Sequence, residues 1–254
     1  MLERNILKNN SSCDSCNVYM KFEKHKIGAD RYTWRCYNSN CIKYRKRVSI
    51  RKDSIFFGLR LKLKKCLRVM LMWLDNDNQS LILKKLKISY SFYRKIVNLL
   101  LLKIKSENAI SPLKFGGVGT LIQIDETMLN FKCKSHRGRS SRNKSDALCI
   151  IEFKQKISKC FACLIPNKKK DTLIPIITSL VIPGSVIYTD EHKSYKVLSK
   201  LGYIHKSVCH KKEFINKENG ANTQAVECFN NYLKYYIKKK KGVEPQRRED
   251  FLLE

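Results

Sequence analysis

Acidic side chains are scarce in this 254-residue sequence: 22 Asp and Glu stand against 52 Lys and Arg, a formal net charge of +30. A surplus of that size repels itself in the folded state and attracts polyanions, so nucleic acid is the expected partner. Long apolar runs are also missing. No stretch reaches the roughly 18 apolar residues from which a membrane-spanning helix is read, and no membrane partner is expected. The opening Met1-Leu-Glu-Arg-Asn lacks the apolar segment of a secretory signal. The eleven cysteines therefore read as reduced thiols, some of them metal ligands, and not as a secreted disulfide framework. There is no repeat at solenoid spacing and no long low-complexity tract. Hydrophobic residues make up 43%, enough for a core, which excludes global disorder.

What is present begins with cysteine pairs. Cys13-x2-Cys16 and Cys36-x4-Cys41 are separated by 19 residues, a knuckle-like spacing that suits one tetrahedral four-cysteine Zn²⁺ site. His25 is a weaker additional ligand candidate. Val18–Met20 and Tyr32–Trp34 are expected to pair as the strands of a ribbon. Basic residues crowd its exit: Lys43, Arg45, Lys46, Arg47, Arg51 and Lys52.

Residues 59–75 suit a helix. Ser80–Leu86 and Tyr90–Ile104 then suit two helices about a turn, with Phe92, Ile96, Val97 and Leu100 as the apolar positions of the second and Ser89 or Ser91 as its cap. The arrangement is helix-turn-helix-like. Tyr90, Ser91, Tyr93, Arg94 and Lys95 would lie on a recognition helix. Residues 1–119 carry 26 basic and 8 acidic side chains, whereas residues 120–254 carry 26 and 14. The N-terminal half is the more basic, as expected of an arm that reads DNA. Ser106–Gly119, with Ser-Pro and Gly-Gly-Val-Gly, reads as a linker.

The second half is organised around carboxylates. Leu121-Ile-Gln-Ile reads as a short buried strand that delivers Asp125, and Val186-Ile-Tyr-Thr as another that delivers Asp190. Ligands of open α/β sheets gather at such strand ends. A third acid, Glu227, starts the helical run Gln224–Lys239, whose Val226, Phe229, Leu233 and Ile237 would pack on the sheet. Lys234 lies about two turns on, on the same face. Glu126 and Glu191 are set aside, since each follows an aspartate along an extended chain and points the other way. Glu152 competes from inside a strand. Further strands are expected at Ala147–Phe153, Cys160–Ile165 and Tyr203–His210. Helices are expected from a cap at Asp171 to Leu180 and over Lys193–Leu201. A basic hairpin tip spans Lys132–Lys144.

These motifs resemble the transposases of the Merlin superfamily of DNA transposons and their bacterial ISXO-type relatives. The resemblance rests on Gln-Ile-Asp125-Glu-Thr, on Pro183-Gly-Ser-Val-Ile-Tyr-Thr-Asp190, and on Tyr195, Leu198, Gly202-Tyr-Ile-His205 and His210. It continues through Asn222-Thr-Gln-Ala-Val-Glu227 to Lys234. The 36 residues between Asp190 and Glu227 match the spacing of Merlin elements. The resemblance implies an α/β, ribonuclease-H-like catalytic domain at 120–254. It would follow a zinc-ribbon module at 1–55, a helix-turn-helix-like segment at 56–105 and a linker at 106–119.

The implied chemistry is phosphodiester hydrolysis and strand transfer. Asp125, Asp190 and Glu227 would hold two Mg²⁺ or Mn²⁺ ions roughly 3.5–4 Å apart, and Lys234 would hold a DNA phosphate. Double-stranded DNA, as element ends and target, and a homo-oligomer are the implied partners. The site would be nuclear in a eukaryotic host, with Lys168–Lys170 and Lys238–Lys241 as import signals, and cytoplasmic otherwise. Two features depart from the family. The usual His-Thr-Asn before the acidic helix reads Asn222-Thr-Gln, and the closing aromatic run is cut short at Asp250–Glu254. These departures support an alternative expectation, a truncated or domesticated DNA-binding protein without catalysis.

Overall fold

The computed structural model of the chain describes residues 7–129, 145–208, 216 and 220–254. The whole basic tip at 132–144, and His210, lie outside these residues. Two compact units are present, divided after Lys103.

The first unit opens with an antiparallel sheet, β1 (Lys21–Lys24), β2 (Tyr32–Arg35) and β3 (Arg47–Ser49), in that order. Val18–Met20 does not form the strand expected there. Its backbone is committed to the cysteine knuckle: Cys13 N–H donates to Val18 O at 3.0 Å and Met20 N–H to Ser11 O at 2.8 Å. The pairing therefore starts one residue later, at Lys21 opposite Arg35. Arg51, counted among the surface cations by sequence, is only 4% exposed. Its guanidinium makes two 2.6 Å contacts with the Asp30 carboxylate and donates to the carbonyls of Leu59 and Leu61. A buried charge needs such partners, and here they tie the ribbon to the segment that leads into the helices.

Those helices are α1 (Leu63–Leu74), α2 (Gln79–Leu86) and α3 (Tyr90–Ile110). Lys87 ends α2 in the left-handed conformation, and Ser89 Oγ accepts the Phe92 N–H at the start of α3. The buried positions of α3 are Tyr93, Ile96, Val97 and Leu101. Tyr93 thus belongs to the core and not to a DNA-facing surface, while Phe92 and Leu100 are only partly covered. The helix also outruns its expected end at Ile104 and takes in the first residues of the expected linker. Nothing in the sequence breaks it before Ser111-Pro112.

The second unit contains β4 (Phe115–Gly116), β5 (Leu121–Met128), β6 (Asp146–Lys154) and β7 (Lys156–Ile165). Then come α4 (Lys170–Leu180), β8 (Val181–Ile182), β9 (Val186–Asp190), a 3₁₀ helix (Lys193–Leu201), β10 (Ile204–Val208), α5 (Gln224–Lys239) and α6 (Arg248–Leu253). One mixed sheet runs β10-β9-β5-β6-β7. β5, β6 and β7 are antiparallel neighbours; β9 and β10 lie parallel to β5. Both faces are covered, which is why β6 is an almost unbroken apolar run. On one face Ile122, Ile124, Leu148, Ile150 and Ile187 meet Leu173 and Ile177 of α4 and Tyr195 and Leu198 of the 3₁₀ helix. On the other, Cys149 and Ile151 lie under Val226, Phe229 and Leu233 of α5.

Two boundary expectations change. Asp171 does not cap α4 but lies in its first turn; ahead of the helix, Asn167 Oδ1 accepts the Lys169 N–H and the Thr172 hydroxyl at 2.9 and 2.8 Å. Strand β7 starts four residues before Cys160, because Gln155 takes a positive φ of 62° and turns the chain straight back after β6. Backbone approach is tightest at Gly116, where a Cβ would lie 2.0 Å from Ser185 Oγ. A larger residue there would have to displace the Ser185 side chain and adopt a positive φ of 84°.

Candidate active site

The pleat of β5 divides its side chains. Gln123 and Asp125 face α5, and Glu126 faces the opposite layer. β9 runs parallel beside it with Gln123 opposite Tyr188, so the chain reaches Asp190 level with Asp125. The carboxylate oxygens of Asp125, Glu126 and Asp190 all lie within 4.8 Å of one another. The backbone N–H of His192 donates to Asp190 Oδ1 at 3.1 Å. Burial, and then the charges of Glu126, Asp190 and Glu227, push the Asp125 carboxyl up from 3.8 to about 6. Crowded acids resist joint ionisation unless a cation neutralises them.

Glu126 was set aside by sequence on the ground that neighbours alternate. It does leave on the other side: Tyr195 OH donates to its Oε1, and Lys168 Nζ lies 3.5 Å from Oε2. Its longer side chain nevertheless brings the carboxylate back within reach of Asp125 at the strand end. Tyr195 is fully buried, and burial followed by the Glu126 charge drives its phenol well above the usual range, so it remains a donor. Glu191 is exposed and outside the cluster. Glu152 has a different role. It is 1% exposed and accepts from Gly116 N–H and Ser158 OH, each at 2.9 Å, with Lys154 and Lys159 at 3.2 and 3.5 Å. Burial alone would raise its pKa, yet these donors and charges hold it near 2. It locks β4 to the sheet.

Glu227 sits in the first turn of α5, and the strand itself fixes that turn. Gln123 is 1% exposed; its Oε1 accepts the N–H groups of Ala225 and Val226 at 3.0 and 3.1 Å, and its Nε2 donates to Asn222 Oδ1 at 3.1 Å. Two orphan donors of the helix N-terminus are thereby satisfied from two residues before Asp125. The Thr223 hydroxyl donates to Glu227 Oε1 at 3.0 Å. Glu227 is near enough to raise the Asp125 pKa but lies outside the 4.8 Å set. One turn on, the buried Asn230 donates through Nδ2 to Asp125 Oδ2 at 2.8 Å, and its Oδ1 has no hydrogen-bond partner among the described residues. Lys234 is exposed, and its charge reaches Cys149, which pairs with Asp125 across β5 and β6.

Sequence reasoning missed Gln123 and Asn230. Both carried a signal, at two residues before Asp125 on a strand and three after Glu227 on a helix, the spacings that share a face.

The second ligand cluster is in the first unit. The sulfurs of Cys13, Cys16, Cys36 and Cys41 all lie within 4.8 Å of one another. Cys13 Sγ is 3.8 Å from Cys41 Sγ, and Cys16 Sγ is 3.9 Å from Cys36 Sγ. A tetrahedron with Zn–S arms of about 2.3 Å has edges of about 3.8 Å, which the Cys13–Cys41 and Cys16–Cys36 separations match, and the other separations stay below 4.8 Å. The N–H groups of Ser15 and Cys16 hold the Cys13 thiol down at about 6. At Cys36 the Asn38 N–H pulls down, but burial and the other three thiols push it up to about 12. His25 is not part of the cluster.

Of the basic candidates, Arg45, Lys46 and Arg47 are exposed at the ribbon exit, with Arg47 Nε 3.3 Å from Glu23. Arg94 is half-buried, and Lys95 donates to Gly58 O at 3.2 Å. Among the described residues, no helix is long and apolar enough to cross a membrane.

The family model of the ISXO2-like transposase domain matches residues 117–254. An uncharacterized transposase-like protein of Haemophilus influenzae is 32% identical over 96 residues, which are 38% of this chain and 76% of that protein. Among solved structures, this chain is similar to one from the cryoEM structure of a simian T-cell lymphotropic virus intasome in complex with PP2A regulatory subunit B56 gamma. The identity is 13% and the TM-score 0.35, over 73% of this chain and 64% of that one. The match to residues 117–254 takes in every carboxylate of the cluster, and the chain belongs to the ISXO2-like transposase domain family.

Proposed function

We propose that the protein is a DDE transposase of the Merlin type that binds element ends as double-stranded DNA and carries out phosphodiester hydrolysis and strand transfer. The observation that carries this reading is the meeting of Asp125 and Asp190, from neighbouring parallel strands, beside the first turn of the helix that bears Glu227. The strand order β10-β9-β5-β6-β7, with two parallel and three antiparallel members, supports a ribonuclease-H-like domain. The donor set is all carboxylate oxygen, which suits Mg²⁺ or Mn²⁺. Asp125, Asp190 and Glu227 would hold two such ions, which would supply positive charge to activate an attacking hydroxyl and stabilise the leaving oxygen.

The chain's own residues do the rest. Asn230 fixes the orientation of the Asp125 carboxylate. Gln123 sets the depth of α5 and hence of Glu227. Lys234, seven residues on along α5, takes a phosphate of the DNA end. In the first unit the four cysteines hold one structural Zn²⁺. Arg45, Lys46 and Arg47, with Arg94 and Lys95 of α3, contact the DNA backbone or groove. The active form is a homo-oligomer, and the protein acts in the nucleus if its host is eukaryotic and in the cytoplasm otherwise.

A second reading is favoured by one observation: Glu126, and not Glu227, is within 4.8 Å of both aspartates. Its ties to Tyr195 and Lys168 assign it a supporting role here, with Glu227 as the third ligand. The test uses the full chain with labelled element ends, a target plasmid and Mg²⁺. Cleavage and joining that survive Glu126→Gln and vanish with Glu227→Gln support the assignment. The reverse pattern transfers the third place to Glu126. DNA binding without cleavage under Mg²⁺ or Mn²⁺ makes the protein a non-catalytic, transposase-derived binder.

A further inference from the structure

Helix α5 carries a feature that the carboxylate site does not use. Tyr232 and Tyr235 are 54% and 57% exposed. The rings of Tyr232 and Tyr236 lie 4.7 Å apart, tilted by 58°, with their hydroxyls 3.2 Å apart. Tyr235 meets Tyr236 edge-on at 5.3 Å, and Lys239 Nζ lies 5.4 Å from the Tyr236 ring centre. Three tyrosines thus form one continuous aromatic cluster on the solvent side of a helix whose inner side is filled by Val226, Phe229 and Leu233. Tyr236 also packs against the core around Ile237 and Phe251, whereas Tyr232 and Tyr235 belong to no core cluster among the described residues and lie exposed on the outer side of the helix.

The charge around the cluster selects the partner. Glu227, at the start, is the one acid of α5; Lys234, Lys238 and Lys239 follow, then Lys240 and Lys241. Lys240 pairs with Glu254. An exposed aromatic shelf edged with ammonium groups is complementary to a strand that offers base faces and phosphates together. Paired bases keep their faces inside the duplex stack, so the shelf fits unpaired nucleotides. Tyr232 and Tyr235 lie five and eight residues after Glu227, about 8 and 12 Å along the helix axis at 1.5 Å per residue. At about 3.4 Å per nucleotide along a strand, that is two to four nucleotides.

We propose that Tyr232, Tyr235 and Tyr236 form a stacking platform for two to four unpaired nucleotides of the DNA strand that flanks the cut. The inference rests on the transposase reading and adds to it a preference for frayed or overhanging ends.

The test measures fluorescence anisotropy with the full chain and three labelled probes: a blunt duplex end, the same end with a four-nucleotide overhang, and that overhang made abasic. The wild type is expected to bind the overhang about fivefold or more tighter than the blunt end, the low end of what one stacked base contributes. Removing the bases while keeping the phosphates should abolish the gain. Tyr232→Ala with Tyr235→Ala should remove it too while leaving blunt-end affinity unchanged, and Tyr232→Phe with Tyr235→Phe should keep it. Equal binding of blunt and overhanging ends overturns the platform and leaves the transposase reading standing. So does an undiminished gain with the abasic probe, which would mean phosphate contact alone. An overhang preference untouched by the alanine pair, with the oligomer dissociating in sedimentation, would assign the cluster to contact between copies and overturn the proposal. Failure to bind any of the three probes would overturn the transposase reading itself.

Discussion

The cysteine cluster and the carboxylate cluster each gather potential anions within 4.8 Å, but they are built to different ends. Three of the four thiols are buried, and the sulfurs stand 3.8 and 3.9 Å apart across two pairs, leaving no corner for a further ligand. Closed tetrahedral sulfur sites are structural. Asp125 and Asp190 are partly buried at strand ends, the Glu126 side chain is almost wholly buried beside them, and the neighbouring acid comes from a helix. Oxygen ligands with an open side leave room for a substrate. The first cluster thus fits an ion that holds a fold too small to hold itself, the second an ion that works on what arrives.

The largest effect expected from breaking this contrast is loss of the first ion. The full chain should contain one Zn²⁺, and stripping it, or Cys16→Ser, should unfold residues 13–50. Structural zinc sites of this kind contribute on the order of 10–16 kcal/mol. Metal analysis with amide hydrogen exchange checks it, and ribbon amides still protected in chelator would refute it. Next come the acids. Asp125→Asn, Asp190→Asn and Glu227→Gln should each cut Mg²⁺-dependent cleavage by about 10³-fold or more, about 4 kcal/mol of barrier. DNA affinity should be unchanged, as read by gel shift on the same ends.

The third prediction sharpens the contrast through pH. The Asp125 carboxyl is raised in the fold from 3.8 to about 6. Between those values the folded state binds more protons than the unfolded one, so stability falls as pH rises and stays low above about 6. Asp125→Asn should therefore stabilise the metal-free protein at pH 7.5, by on the order of 2 kcal/mol or about 4–8 °C in Tm, and not at pH 3.5. Calorimetry in chelator checks it; equal melting of the two proteins at pH 7.5 would count against the crowding. The smallest effect is at Asn230. Asn230→Ala removes the donor to Asp125 Oδ2 and should raise the Asp125 pKa by roughly one unit, read from its carboxyl carbon by NMR. An unmoved titration would show that the 2.8 Å contact does not favour the charged form.

The sequence made some of this legible. The short, mostly apolar run Leu121–Ile124 with its two isoleucines marks a strand, and the apolar spacing of Val226, Phe229, Leu233 and Ile237 marks the face of α5 that packs. That the Glu126 carboxylate comes back within 4.8 Å of both aspartates was not foreseen, because alternation gives the direction of a side chain and not its reach. Tyr93 was placed on a surface because a tyrosine beside Arg94 and Lys95 looks like a contact residue, when α3 needed its ring for the core. Arg51 looked like one more exposed cation, since nothing local announces that Asp30, 21 residues away, will meet it. Gln123 and Asn230 share faces with Asp125 and Glu227 at spacings the sequence shows, but their bonds to Ala225 and Asp125 cross more than a hundred residues, and local pattern does not name such partners.

That separation has a consequence for how the molecule comes into being. Gln123 finds Ala225 across 102 residues, Asp125 finds Asn230 across 105, and Ser145 finds Arg248 across 103. A ribosome adding 5–20 residues per second takes about 5–20 s to cover such a gap. For that time strand β5 has been translated while the helix that completes its site has not. Gln123 and Asp125 of β5 therefore gain the partners that orient them only after α5 has been made and has docked on the sheet. On the proposed reading, that docking is also the step at which the site would become competent.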